Sequence, residues 1–137
     1  MTAALPAPGA ELPPLRHAAT RLQLFRYSAV TWNPHRIHFE EEYARSEGHA
    51  GTLVHSHLRA ALALRCVAEG LPGWTIAEVK YRVRRPVVPG TELVYGARVR
   101  EAAGDAAVLE LTETHPGGEV GLAGTVTVRR AGREADR

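Results

Sequence analysis

The period of the apolar pattern changes part-way along the chain, dividing it into a helical half and a strand half. In the first half, Leu22, Phe25 and Ala29 recur at helical spacing just after TRLQ, residues 20–23. That tetrapeptide has the form of a capping box, with Thr20 as N-cap and Gln23 at the third helical position. The pattern predicts a helix over about 21–30, stopped by Asn33-Pro34. FEEEYARSEG, 39–48, predicts a short helix whose leading carboxylates suit the positive end of the helix dipole. Between them lies the loop NPHRIHFE, which carries His35 and His38, and after them HAGTLVHS reads as an irregular or extended approach.

The strongest helical signal covers 57–69, HLRAALALRCVAE. Leu58, Ala61, Leu62, Leu64 and Val67 leave Arg59, Arg65 and Glu69 as the wet positions. So apolar a helix is expected to be packed on most sides. Ser56 is expected to cap it, and Gly70 with Pro72-Gly73 to end it. Beyond residue 73 the period becomes two. TIAEVKYRVRRPVV, ELVYGARVREA, AAVLELTETH and EVGLAGTVTVRR alternate, separated by PGT, AGD and PGG turn signals. These segments predict about four long strands in an antiparallel meander that curls around the central helix. The fold class is therefore α+β, with a single domain over 15–130. The lead-in 1–14, with its four prolines, is expected to be flexible, and 131–137 to be a frayed tail.

Composition acts mainly by exclusion. A chain of 137 residues is long enough for one real core. The formal net charge is only +2, and Lys80 is the sole lysine among 17 basic residues. There is neither the basic excess nor the module of a nucleic-acid protein, so no nucleic-acid partner is expected. No run approaches the ~20 apolar residues of a membrane span, and the N-terminus lacks a signal-peptide pattern. Cys66 is the only cysteine and sits in the apolar helix, which predicts a buried, inert thiol and a reducing, cytoplasmic compartment. Trp32 and Trp74 are expected in a core or an interface.

The candidate chemistry is concentrated in histidine and arginine. His35, His38, His49, His55 and His57 crowd into a short stretch. However, HxxH in a loop and HxH at a helix start match no strong zinc spacing, so no metal is expected. Arg36 and the RVRRP arginines Arg82, Arg84 and Arg85 are guanidinium forks suited to a phosphate or a carboxylate. They would equally suit a solvated face. If all three RVRRP arginines lay on a strand, Arg82 and Arg84 would share one side and Arg85 would oppose them. The chain has no Gly-rich phosphate loop, no nucleophile elbow and no catalytic-cysteine motif.

Three blocks taken in order, FRYSAVTWNPHRIHFEEEYA, GTLVHSHLRAALAL and YRVRRPVVPGTELVYGARV, resemble the MaoC-like hotdog-fold acyl-thioester hydratases and dehydratases. Within that group they resemble most the branch of type 2 hydroxyacyl-thioester dehydratases and mesaconyl-CoA (methylfumaryl-CoA) hydratases, over roughly 15–130. The resemblance implies a hotdog fold that pairs with a second copy, giving a homodimer or higher homo-oligomer. The implied activity is reversible hydration of a 2-enoyl-CoA, or dehydration of a 3-hydroxyacyl-CoA, including branched or dicarboxylic acyl groups. No cofactor is implied beyond the coenzyme A of the substrate.

The family pattern Asp-x-Asn-x-x-His, aligned on His38, puts Asn33 at the Asp position and His35 at the Asn position. It implies His38 as acid/base catalyst, Asn33 as the group that positions water or substrate, and His35 in an assisting or structural role. An amide can hold water by hydrogen bonds but cannot take its proton. The family His-Gly-x-Leu segment falls on His55, Ser56, His57 and Leu58. It implies the Ser56 and His57 main-chain N–H groups as donors to the thioester oxygen; His55 joins Arg36, Arg82, Arg84 and Arg85 as a candidate substrate or coenzyme A contact. Two other classes stay open. One is thioester hydrolysis, for which the central helix offers only Glu69. The other is a non-catalytic acyl-thioester-binding subunit of a heteromer.

Overall fold

The computed structural model of the chain describes residue 4 and residues 6–132. The rest of the expected lead-in, 1–3 and 5, and of the expected tail, 133–137, lies outside the described residues. Thr20 caps the first helix, α1 (Arg21–Thr31), by accepting a hydrogen bond from the Gln23 N–H at 3.1 Å. The helix ends where Trp32 turns left-handed at φ 52° and Asn33 N–H closes on Ser28 O at 2.8 Å. Its buried side is Leu24 and Ser28, while Leu22, Phe25 and Ala29, the residues at helical spacing in the sequence, point outward. Trp32 is exposed as well, whereas Trp74 is buried in the core.

A single 3-10 turn, Arg36–His38, occupies the histidine loop, followed by the short helix α2 (Glu41–Ser46). The long helix, α3 (Ser56–Gly70), lies where the apolar run predicts it, although its N-cap is His55 rather than Ser56 and makes no side-chain cap bond. Leu58, Leu62, Ala63, Cys66 and Val67 form its buried stripe. Arg59 belongs to that stripe too, contrary to its expected exposure. Cys66 is buried with its thiol pKa pushed up by desolvation, which keeps it protonated and inert.

The sheet packs against α3. Its strands are β1 (Leu15–Ala18), β2 (Trp74–Val83), β3 (Glu92–Ala103), β4 (Ala106–Thr114) and β5 (Val120–Arg130), all antiparallel to their neighbours in the order β1-β3-β4-β5-β2. Only β3, β4 and β5 form a meander. The expected four-strand meander fails at β2, which pairs with β5, so residues 84–91 must cross to the far side of the sheet. Inward positions alternate as Leu93, Tyr95, Ala97 and Val99 on β3, and as Ala107, Leu109 and Leu111 on β4. Each large apolar side chain removed from water this way contributes about 1.5–3 kcal/mol. Gly104, at φ 58°, makes the tight β3–β4 turn. Gly124 lets β5 approach β2, since a Cβ there would collide with the Lys80 carbonyl.

The lead-in is not free along its whole length. Gly9 N–H bonds Val99 O at 2.7 Å, Val99 N–H bonds Ala10 O, and Leu12 N–H bonds Ala97 O. Residues 9–12 thus satisfy the outer edge of β3 beyond the end of β1. The prolines do not prevent this, because the donors needed come from Gly9 and Leu12. At the other end, Ala131 N–H bonds Gly73 O at 2.9 Å, so the chain is still held at the start of the expected tail.

Candidate active site

The loop after α1 is built by its own side chains. Asn33 Oδ1 accepts from the His35 N–H at 3.3 Å, the Asx turn that suits an Asn-Pro start. His35 Nδ1 then accepts from the Ile37 N–H and caps the 3-10 turn, leaving its ring exposed. Arg36 turns outward, forks onto Glu40 at 2.8 and 2.6 Å, and lies over the Tyr43 ring. Its charge is already answered within the loop. The loop is clamped to the stretch before α3 at two points: Leu53 N–H bonds Ile37 O at 2.9 Å, and His38 Nδ1 bonds Leu53 O at 2.8 Å.

A carbonyl can only accept, so His38 Nδ1 carries the hydrogen and Nε2 is a bare lone pair whenever the ring is neutral. Desolvation lowers the His38 pKa, partly offset by the bond to Leu53, with His35 adding a smaller push in the lowering direction. His38 is therefore neutral at pH 7, in the state required of a base.

His38 and Ser56 line a common cleft of about 300 Å³, together with Leu53, Arg59, Arg84 and Arg85. Ser56 and His57 open α3, and the N–H groups of a helix's first turn have no intrahelical partner. They lie at the positive end of a 15-residue helix, which favours a developing negative oxygen. The His57 ring turns aside, its Nδ1 paired with the Tyr81 hydroxyl at 2.6 Å.

The arginines divide. β2 ends at Val83, so Arg84 and Arg85 are beyond the strand and both line the cleft, where strand geometry would have put them on opposite sides. Arg82 remains on β2 opposite Ala123 and does not line it. Among the described residues neither Arg84 nor Arg85 has a carboxylate partner. His55 does not line the cleft either. It is 2% exposed, with Nε2 on the Ser28 hydroxyl at 2.7 Å, and its ring stacks on His38 at 3.7 Å and 16°. Burial, with His38 and His57 adding to it, lowers the His55 pKa to about 4. Glu69 is far along α3, exposed and paired with Arg65. Among the described residues no three His, Cys, Asp or Glu side chains converge in a metal-binding geometry, nor is any helix long and apolar enough to cross a membrane.

Residue-type expectations missed one group entirely. Arg59 is fully buried and forks onto the equally buried Glu113 of β4. It also donates to Arg85 O at 2.7 Å and to Gly121 O at 3.3 Å, and His115 flanks Glu113 at 3.2 Å. The signal was present in the periods. Arg59 falls in step with Leu62, Ala63 and Cys66 on one face of α3, and Glu113 continues the inward alternation of Leu109 and Leu111.

A family model described as hydroxyacyl-thioester dehydratase type 2 matches residues 8–89. A curated relative, the mesaconyl-C(4)-CoA hydratase of Chloroflexus aurantiacus, is 46% identical over 70 residues, which cover 45% of this chain and 25% of that protein. The match thus spans a quarter of the relative's length. Among solved structures, the unliganded R-hydratase PhaJ1 from Pseudomonas aeruginosa superposes with a TM-score of 0.85 at 18% identity, covering 93% of this chain and 83% of that one. The (R)-hydratase from A. caviae gives 0.84 at 19% identity, covering 90% and 96%. One chain of the ChsH1-ChsH2 complex from Mycobacterium tuberculosis gives 0.83 at 17% identity, covering 90% and 98%. At these identities the likeness establishes the fold, a hotdog fold.

Proposed function

The chain belongs to the hydroxyacyl-thioester dehydratase type 2 family, and on that premise we propose that it is a hydro-lyase acting on acyl-CoA thioesters. The reaction is the reversible hydration of a 2-enoyl-CoA to a 3-hydroxyacyl-CoA. The observation that carries this is the state of His38: Nδ1 is committed to Leu53 O, Nε2 is left as a lone pair, and the ring shares a cleft with the start of α3.

In the hydration direction His38 Nε2 takes a proton from water, and the hydroxide oxygen bonds to the β-carbon. The electron pair of the double bond shifts to the bond between the α-carbon and the carbonyl carbon, the carbonyl pair moves onto the thioester oxygen, and the Ser56 and His57 N–H groups donate hydrogen bonds to that negative oxygen. The imidazolium then returns a proton to the α-carbon, so one histidine serves as base and afterwards as acid. Asn33 shapes the loop through Oδ1, and its amide N–H is the group it would offer to the water. The family's carboxylate is absent at that position, which leaves proton transfer to His38. The conjugated thioester makes the α-proton acidic by itself, so the reading needs no metal or redox cofactor, and coenzyme A enters as part of the substrate.

Arg84 and Arg85 give the cleft two cations, suited to a coenzyme phosphate or to a second carboxylate on the acyl group. The name of the Chloroflexus relative supports a dicarboxylic, branched substrate such as mesaconyl-CoA. We take the working form to be a cytoplasmic homodimer. That neighbours include a two-component complex supports assembly through this fold.

The test is turnover of crotonyl-CoA and mesaconyl-CoA. Loss of enoyl absorbance without thiol release is the expected result. Thiol release would make the protein a thioesterase, and tight binding without turnover would make it a binding subunit. His38→Ala is expected to abolish hydration while the protein stays folded, with a smaller loss for His35→Ala. Unchanged turnover in the His38 variant would remove His38 from the mechanism.

A further inference from the structure

His38 is clamped at one nitrogen only, and one hydrogen bond leaves an imidazole free to rock about it. What fixes the ring plane is a second, buried histidine. The His55 ring lies 3.7 Å from the His38 ring and almost parallel to it. His55 is in turn held from α1, where Ser28 Oγ lies 2.7 Å from Nε2 and the Tyr27 ring meets it edge-on at 4.8 Å. All three contacts are short, and Ser28 and His55 are both buried.

The tautomer follows from what is satisfied. His55 Nδ1 has no hydrogen-bond partner among the described residues. A hydrogen there would be an orphaned buried donor, which costs more than a bare acceptor lone pair. The hydrogen therefore belongs on Nε2, which donates it to Ser28 Oγ. Ser28 is then the group that selects both the tautomer and the plane of His55.

We propose that Ser28 and His55 are positioning residues for His38, with the Ser28 hydroxyl orienting the His55 ring and the stacked His55 ring holding His38 in the orientation that puts Nδ1 on Leu53 O. The device spans three elements: α1, the residue before α3, and the histidine loop. Neither residue touches substrate. The link to catalysis rests on the hydro-lyase function proposed above, whereas the positioning itself is a property of the free protein.

Ser28→Ala is the variant of choice. Alanine is the better helix former, so α1 keeps its propensity and the fold is expected to survive, which a thermal melt checks. Ser28→Thr restores a hydroxyl at the same position. Two readouts separate the claims. In nitrogen-15 histidine spectra, the wild-type His38 should show a single tautomer with the hydrogen on Nδ1. Ser28→Ala should show a mixture, and Ser28→Thr should return the single form. In turnover of whichever probe thioester the wild type hydrates, Ser28→Ala should lower kcat roughly tenfold with KM within about twofold, as expected for a misaligned base. Ser28→Thr should recover most of that loss. A Ser28→Ala protein with an unshifted His38 tautomer overturns the positioning claim, whether or not either thioester is a substrate. A shifted tautomer with unchanged kcat overturns its link to catalysis. If the wild type hydrates neither crotonyl-CoA nor mesaconyl-CoA, the proposed function fails, and the spectra still decide the positioning.

Discussion

Two histidines in ring contact would be expected to compete for a proton, yet both His38 and His55 are held neutral, each chiefly by loss of water around the ring. For a base whose pKa is lowered, the active unprotonated form persists below the ordinary imidazole value of 6.5. The logarithm of kcat/KM for hydration should therefore run flat as pH falls through 6.5 and turn down only below it. An acid limb at or above 6.5 would show that His38 is not desolvated as described, or is not the base. Stability has the same sign. Unfolded His55 takes up a proton near 6.5 and folded His55 only at about 4, so unfolding becomes easier across that window, by at most about 3 kcal/mol. The rate profile must be matched with an unfolding profile to keep the two apart. Part of this site was legible in the sequence: NPHRIHFE holds His38, the proposed base, and the Asn-Pro start that turns the loop, while the capping bond of His35 was not specified. Nor was the separation of His38 from His55, since it depends on a buried Ser28 brought from another element, and no local spacing records that partnership.

At the scale of elements, the Arg59–Glu113 pair ties the second turn of α3 to the end of β4 and, through the Arg85 and Gly121 carbonyls, to the crossover and β5. Removing one member of such a pair leaves the other charge buried, whereas removing both can be nearly neutral. Arg59→Met is therefore expected to lower the free energy of unfolding by about 3–5 kcal/mol, and Arg59→Met with Glu113→Leu to recover most of the loss. Urea denaturation of the single and double variants measures it. A double variant as unstable as the single one would mean that the carbonyl bonds, not the ion pair, carry the stability. Helices and strands were the most readable level, because α1, α3 and the four long strands each repeat one period over many residues. The failures have specific causes. β1 and residues 9–12 are short, lie between or beside Pro6, Pro8, Pro13 and Pro14, and find their backbone partners only on the open edge of β3. Arg59 and Glu113 follow the buried periods but carry the wrong residue type, and each is tolerable inside only because of the other. The crossover after β2 leaves no local mark, yet it brings Arg84 and Arg85 to His38.

For the whole molecule, the surface still holds apolar area that one copy does not bury. Phe25, Trp32 and Phe39 are exposed and, with Ala29 and Pro34, line an apolar hollow of about 190 Å³ beside the histidine loop. Leu22 and Val30 extend the exposed set along α1. β2, ten residues long, has a paired neighbour in β5 only. Large contiguous apolar patches and long open strand edges are both liabilities in a monomer. None of this was visible in the helical spacing of Leu22, Phe25 and Ala29, since the same pattern marks a face buried within the chain and one buried between chains. A second copy would relieve both features, so sedimentation equilibrium should give twice the chain mass. Because a dimer is stabilised by mass action, Tm should also rise with protein concentration. Trp32→Glu, on the exposed face, should shift the mass toward the monomer if α1 is part of that interface. A monomer mass with a concentration-independent Tm would require the site to work within one chain. The apolar hollow beside the histidine loop would then stay open to solvent.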